Sequence, residues 1–316
     1  TFLGTSLYSM LTMRMTIING FKQNFNAGVR NLCLKKFVPK HENLGDSELK
    51  AFRDLISDKS RLVVITGAGI STESGIPDYR SEGVGLYATS SKRPMQIQEF
   101  LKFPARRQSY WARNYVGWPM FSSHKPNVTH LRLSEWEKSG RVSCVITQNV
   151  DRLHHKAGSK NIIELHGTGF VVVCLSCRDK TSRHDFQKVL ADHNPLFVAK
   201  SDGVRPDADV ELPDHQVQSF VVPNCQKCGG NLIPDIVFFG DCVPSARILK
   251  AKSEIMQCDA LLCLGTSLYV YSGYRFVLEA NEIGKPIYAI NIGETRADHL
   301  LKFKLKARCG EVFSKL

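Results

Sequence analysis

Four of the ten cysteines fall into two pairs of the same spacing, Cys174-Leu175-Ser176-Cys177 and Cys225-Gln226-Lys227-Cys228. Ten cysteines scattered at random over this length would give roughly a third of one such pair, so two pairs are a signal. A Cys-x-x-Cys turn points both thiolates at one centre, and two such turns supply the closed tetrahedral shell of a structural Zn²⁺ with no position open to water. Such a site holds structure and performs no catalysis. Gly229 and Gly230 follow the second pair and suit the tight turn a zinc ribbon needs. A thioredoxin-like redox pair, which needs a single motif near a helix start, is the competing reading. Cys33, Cys144, Cys242, Cys258 and Cys263 have no matching spacing, and most of them read as buried free thiols.

A second chemistry is suggested further upstream. Arg61 to Thr66 reads as a buried strand, and Gly67-Ala68-Gly69-Ile70-Ser71 follows it directly. A doubly wound fold sets a tight turn against a pyrophosphate at that place, where glycine lets backbone N–H groups approach the anion without a Cβ in the way. The third glycine of the dinucleotide fingerprint is displaced to Gly75, and no acid stands at the usual distance to read a ribose. Taken alone, the motif fits nucleotide binding and a plain glycine-rich turn equally. His166 also follows a strand. A lone histidine there is more often a hydrogen-bonded structural residue, although its ordinary pKa near ~6.5 suits a proton acceptor at neutral pH.

The elements that must position these residues alternate in type. Asp46 to Ser57 reads as an amphipathic helix with Leu49, Phe52, Leu55 and Ile56 on one stripe. Strand-like runs follow at Val142 to Thr147, Ile162 to Leu165, Ile236 to Phe239, Ala260 to Leu264 and Ile287 to Asn291. Helical patterns at Pro244 to Gln257 and Ser272 to Ile283 separate several of them, the second stopped by Gly284 and Pro286. The alternation implies an α/β fold, a doubly wound parallel, Rossmann-like sheet. The cysteine turns interrupt it, so residues 168–235 read as a small zinc-binding module inserted into a domain of residues 41–316. Pro195, Gly203, Pro206 and Pro213 suggest that much of residues 178–224 is loop.

Composition sets the outer bounds. The 316 residues are 43% hydrophobic and 23% charged, which excludes a chain disordered throughout, and no apolar run approaches the ~18 residues of a membrane helix. Arg14, Lys22, Arg30, Lys35, Lys36 and Lys40 precede the first acid, Glu42, and carry half of the net charge of +12. Residues 1–40 therefore form a leader without acids that resembles a mitochondrial transit peptide, with a flexible basic tail as the other reading. The rest of the excess suits an anionic ligand and is too diffuse for nucleic acid.

Several further motifs stand in order: Ser74-Gly75-Ile76-Pro77-Asp78-Tyr79-Arg80, Thr147-Gln148-Asn149-Val150-Asp151, Glu164-Leu165-His166-Gly167, Phe238-Phe239-Gly240, Gly265-Thr266-Ser267 and Asn291-Ile292-Gly293. With them the chain resembles the sirtuin family of NAD-dependent protein deacylases over about Leu44 to Gly310. The resemblance implies a cofactor loop from Gly67 to Tyr87, with Gly67, Ala68, Gly69 and Ser71 near the pyrophosphate, then Pro77, Asp78 and Tyr79, and Arg80 assisting from a mobile segment. It implies that Gln148, Asn149 and Asp151 line the nicotinamide pocket, that His166 is the general base, and that Asn149 and Asp151 belong with it to the catalytic set. Gly265, Thr266, Ser267, Asn291, Ile292, Gly293 and Cys309 would surround the adenosine half. Val237, Phe238, Phe239 and Gly240 would pair with the backbone of an acylated protein as an added strand. Cys174, Cys177, Cys225 and Cys228 would hold zinc.

The chemistry so implied consumes NAD. Breaking the nicotinamide bond develops positive charge on the ribose, so even an amide oxygen attacks if it is held close. A neutral imidazole then takes a ribose hydroxyl proton, and that oxygen attacks the carbon of the former amide. Deacylated lysine, nicotinamide and an acylated ADP-ribose result. Each residue has a plainer reading too: Asp151 fits a helix N-cap, Asp78 a turn and Cys309 simple core.

The family's acid-reading branch carries a Tyr-x-x-Arg motif; matched through Trp111, this chain has Asn114 and Gly117 at those places, while Tyr110 and Arg113 repeat the motif out of register. The wording of residues 79 and 110–118 with the long insert resembles the class II mitochondrial branch called sirtuin four. That branch implies removal of lipoyl, biotinyl or branched acidic acyl groups with weak deacetylation, with mono-ADP-ribosyl transfer to proteins as the alternative. Its implied partners are acylated or ADP-ribosylated mitochondrial proteins, its compartment the mitochondrial matrix, with no nucleic acid and no membrane. The long insert is expected to reach the acyl pocket.

Overall fold

The computed structural model describes residues 36–91, 93–201 and 203–316, so the leader reading lies almost wholly outside the described residues. Six parallel strands form the main sheet: β1 (Leu62–Thr66), β2 (Val142–Thr147), β3 (Ile162–Glu164), β7 (Ala260–Leu264), β8 (Ile287–Ile290) and β9 (Phe303–Leu305), in the order β3-β2-β1-β7-β8-β9. The doubly wound, Rossmann-like reading holds. All five residues of β1 are buried, as a central parallel strand covered on both faces must be. Side chains alternate between the two covering layers. Leu62 and Val64 meet helices α1 (Asp46–Ser57), α5 (Val128–Lys138) and α11 (Cys309–Lys315) through Phe52, Leu133 and Phe313. Val63 and Ile65 meet α9 (Ser245–Gln257) and α10 (Tyr271–Glu282) through Ile255, Phe276 and Val277.

The strand order reverses between β1 and β7, and ligands bind such sheets outside the carboxyl ends at that switch point. The register lines up Thr66 of β1 with Thr147 of β2 and Leu264 of β7, so Gly67, Gln148 and Gly265 leave the sheet side by side.

A second sheet, antiparallel, has the order β5-β4-β6, from β4 (Gly167–Cys174), β5 (Lys180–Ser182) and β6 (Leu232–Ile236). One expectation is corrected here. The strand placed at Ile236 to Phe239 instead ends at Ile236, because β6 must pair with β4 from Leu232 onward, opposite Cys174. Much of the insert is loop, as expected, but it also carries α7 (Arg183–His193), which begins at Ser182, whose Oγ accepts from the His184 N–H at 3.2 Å, and buries Phe186 and Leu190. Residues 194–201 and 203–213 lack helix and strand. The remaining helices are α2 (Leu86–Thr89), α3 (Ile97–Lys102), α4 (Pro104–Ser123), α6 (Leu153–Ala157) and α8 (Asp214–Val217).

The second sheet shares one core with α4. Trp111, Trp118, Phe121, Phe170, Phe186 and Phe220 are all buried within it. Arg183 is wholly buried there, its guanidinium 4.7 Å from the Trp118 ring and 5.5 Å from that of Trp111. Asn114 Oδ1 accepts from Arg183 Nη2 at 2.9 Å, and burial lowers the guanidinium pKa to about 9. No helix among the described residues is long and apolar enough to cross a membrane.

Candidate functional site

The turn after β1 is set by glycines that interlock. A Cβ on Gly69 would lie 2.7 Å from the Gly265 carbonyl oxygen, and one on Gly265 would lie 2.4 Å from Ile70 N. Gly265 also takes φ +52°, and the Gly69 N–H donates to its carbonyl at 2.9 Å. The two turns pack backbone on backbone, leaving Ala68–Ser74 as a 3-10 turn with Ser71 pointing inward.

Ser71 begins a buried polar set. Its hydroxyl donates to Asp151 Oδ2 at 2.7 Å, and the Leu153 N–H donates to Asp151 Oδ1 at 2.9 Å. Asp151 thus also does the helix-start work of its plainer reading, at the head of α6. Desolvation raises its pKa, against the lowering by the Leu153 and Ser71 bonds. Asn149 Nδ2 donates to the Gly67 carbonyl at 3.0 Å and to Ser71 Oγ at 3.1 Å. Gln148 Nε2 donates to Thr266 Oγ1 at 2.9 Å.

His166 sits across from them at the end of β3. Its Nδ1 lies 2.9 Å from the Gln148 carbonyl, which can only accept, so Nδ1 carries the proton in the neutral ring. Nε2 is then the basic nitrogen, and it lies 2.8 Å from Ser272 Oγ. Burial lowers the ring's pKa to about 4, partly offset by the Gln148 bond. The imidazole is neutral at physiological pH.

Two cavities open beside this set. One, of about 530 Å³, is lined by Ala68, Ser71, Gln148, Asn149, Asp151, His166, Thr266 and Val237 to Gly240. The other, of about 1150 Å³, is lined by Gly69, Asp78, Gly265, Asn291, Ile292, Gly293 and Cys309. Ala68, Tyr79, Arg80 and Ser267 belong to both, so the two meet at the turn after β1. Gly67, Pro77 and Tyr87 line neither. Gly67 is the lip under Thr266, Pro77 is buried behind the turn, and Tyr87 stacks under Arg80 at 5.2 Å. The Val237 N–H donates to the His166 carbonyl at 2.8 Å, and the Phe239 carbonyl accepts from the Ile97 N–H at 2.9 Å.

One wall of the smaller cavity comes from residues to which the sequence assigns no certain role. Tyr110, Arg113, Pro206, Asp207 and Asp209 line it, so the insert reaches the cavity as expected. Arg113 donates to both oxygens of Asp209, at 2.8 and 2.9 Å, and Arg205 Nη1 donates to the same carboxylate at 3.1 Å. Desolvation, with the neighbouring Asp209 charge, raises the Asp207 pKa to about 6. Asn114 and Gly117 are turned elsewhere: Asn114 holds Arg183, and a Cβ on Gly117 would meet the Ala208 carbonyl oxygen at 2.2 Å. Ser272 carried no signal in the sequence, because a serine one residue into a helix is ordinary.

The cysteine cluster stands in the second sheet. The four sulfurs lie within 4.8 Å of one another, with Cys174 and Cys228 at 3.4 Å and Cys177 and Cys225 at 3.7 Å. Sulfurs at ~2.3 Å from one tetrahedral Zn²⁺ would stand about 3.8 Å apart, so the set fits that ion. N–H groups of Ser176 and Cys177 point at Cys174 Sγ, at 3.4 and 3.5 Å, as suits a thiolate. Cys144, Cys258 and Cys263 are buried thiols as expected, whereas Cys242 is exposed at the cavity mouth.

A family model described as the Sir2 family matches residues 67–272, the span from the glycine turn to Ser272. The chain belongs to the Sir2 family. A Drosophila melanogaster Sir2-family relative, "NAD-dependent protein deacylase Sirt4", is 52% identical over 282 residues, 89% of this chain and 90% of that protein. The human relative, "NAD-dependent protein lipoamidase sirtuin-4, mitochondrial", is 51% identical over 276 residues, 87% of this chain and 88% of that one. A solved Sir2 structure described as "Sir2-p53 peptide-NAD+" superposes with a TM-score of 0.68 at 30% identity, covering 84% of this chain and 96% of that one. The joined cavities fit a Sir2-family dinucleotide: one side carries the basic imidazole and the other the glycine turns, which any Cβ would close.

Proposed function

We propose that this chain is an NAD-dependent protein deacylase that removes acyl groups from lysine, releasing nicotinamide and an O-acyl-ADP-ribose, and that lipoyl- and biotinyl-type or branched acidic acyl chains are its substrates. The observation that carries the reading is His166, a neutral base in the wall of the smaller cavity together with Gln148, Asn149 and Asp151. Both close relatives are named for deacylation, which favours it over ADP-ribosyl transfer.

Bound NAD supplies a glycosidic bond whose cleavage leaves an electrophilic ribose carbon. The chain's residues do the rest. Asn149 and Asp151, pinned through Ser71, orient the nicotinamide carboxamide, with Asp151 accepting from its N–H. Ala68, Gly69 and Gly265 offer close backbone approach to the phosphates. Asn291 to Gly293 and Cys309 enclose the adenosine half. The segment Val237 to Gly240, which lines the smaller cavity, takes the substrate backbone and directs the acyl-lysine inward. His166 Nε2, oriented by its Nδ1–H bond to Gln148, takes the ribose hydroxyl proton once the substrate displaces Ser272 Oγ. Tyr110, Arg113, Pro206 and Asp207 surround the acyl tail. Its guanidinium held by Asp209, Arg113 favours neutral lipoyl- and biotinyl-type chains, with branched acidic chains the weaker substrates.

The cysteine cluster binds structural zinc and takes no part in the reaction. The substrates we assign are acylated proteins of the mitochondrial matrix, in keeping with the mitochondrial naming of the human relative and with the basic leader. Purified protein incubated with NAD and a panel of acyl-lysine peptides tests the reading. Nicotinamide release that requires the acyl group, and is lost in His166→Tyr, is the expected result; release that ignores the acyl group, or survives that substitution, would overturn it.

A further inference from the structure

Behind the nicotinamide wall lies a buried polar network that no step above uses. His154, on α6, and His130, on α5, are 2% and 0% exposed, with ring centroids 4.8 Å apart. Burial lowers both pKa values, that of His154 to about 3, so both rings are neutral. His154 Nε2 lies 3.0 Å from Thr66 Oγ1, and Thr66 Oγ1 donates to Thr147 Oγ1 at 2.9 Å. Having given its one proton to Thr147, the Thr66 hydroxyl must accept from the imidazole, which places the His154 proton on Nε2. Thr147 Oγ1 also accepts from the Asn149 N–H at 3.1 Å. The bonds therefore converge on Thr147 Oγ1, which accepts from His154's side through Thr66 and from the backbone of Asn149 on the other.

His130 ties the same network to the cofactor turn. Its Nδ1 lies 3.0 Å from Asn127 Oδ1, and Asn127 Nδ2 donates to the Ile70 carbonyl at 2.7 Å and to Ser74 Oγ at 3.0 Å. Ile70 and Ser74 lie in the 3-10 turn that presents Ser71 to Asn149 and Asp151. His130 Nε2 and His154 Nδ1 have no protein partner, although both are buried. Buried nitrogens of this kind are costly in a site whose only task is packing, where an apolar residue of similar volume would serve.

We infer that His154, backed by His130, is a positioning residue for the nicotinamide pocket: it holds Asn149 in register with the cofactor turn through Thr66 and Thr147. The inference rests on the deacylase reading of the same site. It weights the two halves of the cofactor unequally, because the network reaches Asn149 and Ser71 directly and the cavity of Asn291 to Gly293 only through the turn after β1.

The test compares His154→Leu, His154→Gln, Thr147→Val and Thr147→Ser in the full chain, using turnover with NAD and an acyl-lysine peptide, inhibition by nicotinamide, and binding of ADP-ribose. Gln keeps an N–H donor close to the Nε2 position, and Ser keeps the hydroxyl. His154→Leu and Thr147→Val should lose about tenfold in kcat/KM for NAD, the scale of one buried hydrogen bond, and weaken nicotinamide inhibition in step. ADP-ribose affinity should fall much less than turnover, by about twofold, since it lacks the nicotinamide and most of its contacts lie away from Asn149. Gln and Ser should restore most of the loss. Equal losses in the Leu and Gln variants, an ADP-ribose affinity that falls in parallel, or unchanged turnover would each overturn the inference. Should His154→Leu fail to fold, the near-isosteric Thr147 pair decides alone. Wild-type protein without NAD-dependent turnover would instead refute the deacylase reading.

Discussion

At the scale of single residues, the site depends on where protons and methyl groups are not. His166 is neutral because burial lowers its pKa to about 4. An ordinary histidine would be half protonated near ~6.5. Since kcat/KM reports the free enzyme, its acid limb should be centred near pH 4 and the profile should stay level from about pH 8 to 5.5; a midpoint near 6.5 would refute the assignment of the base. The same shift sets a stability slope of known sign. Between the two values the unfolded chain binds a proton that the native ring refuses, so stability falls as pH drops from ~6.5 towards 4, and His154 extends the loss towards 3. Urea titrations across that range should show the midpoint falling monotonically. Gly69 makes the complementary case: Gly69→Ala sets a Cβ 2.7 Å from the Gly265 carbonyl oxygen, backbone against backbone. It should cost about 1–3 kcal/mol in thermal or urea unfolding and weaken NAD binding more than tenfold. These residues were legible in the sequence because glycine, histidine and asparagine stand at strand ends, where backbone turns and chemistry coincide. Ser272 was not, since its role comes only from α10 delivering it to the imidazole across the sheet.

At the scale of elements, the parallel strands were readable from apolar runs with no room for hairpins, and the two helices that cover them from ordinary stop signals. Helix α4 was not, because Gly117 and Pro119 argue against a helix there. Tertiary packing overrides both: Gly117 is needed where the Ala208 carbonyl crosses, and Trp111 and Trp118 clasp Arg183. The segment at Ala208 belongs to the same insert whose prolines conceal how it is held. Arg113 and Arg205 both bind Asp209, and Arg205 Nη2 also donates to Glu211. Asp209 thereby anchors the insert and occupies the guanidinium that faces the acyl cavity. Asp209→Asn should free that charge: kcat/KM for a glutaryl-lysine peptide should rise about threefold to tenfold relative to a lipoyl-lysine peptide, on the scale of one exposed-to-buried ion pair gained. If the ratio of the two substrates stays constant, the pair does not read the acyl chain.

At the scale of the molecule, the zinc cluster and the reaction are joined through one core. Cys174, Phe186 and Cys225 pack in the same buried cluster as Tyr110, Trp111 and Phe238, of which Tyr110 and Phe238 line the smaller cavity and Trp111 packs against Tyr110. Four thiolates with no metal would repel one another, and the β4–β6 pairing that ends at Cys174 and Leu232 would lose its clamp. Trp111 Nε1 donates to the Leu232 carbonyl at 3.1 Å, so the loss passes directly into α4. The main sheet has its own core on both faces and does not share it. Removing zinc with a strong chelator should therefore abolish turnover and the near-ultraviolet circular dichroism of Trp111 and Trp118, while most far-ultraviolet signal persists. Thermal unfolding should split into two steps, the first in the module. Adding zinc back before the module aggregates should recover both tryptophan signal and turnover together. Turnover that survives full removal of the metal would show that the acyl wall stands without the module, and the coupling argued from the shared core would be wrong.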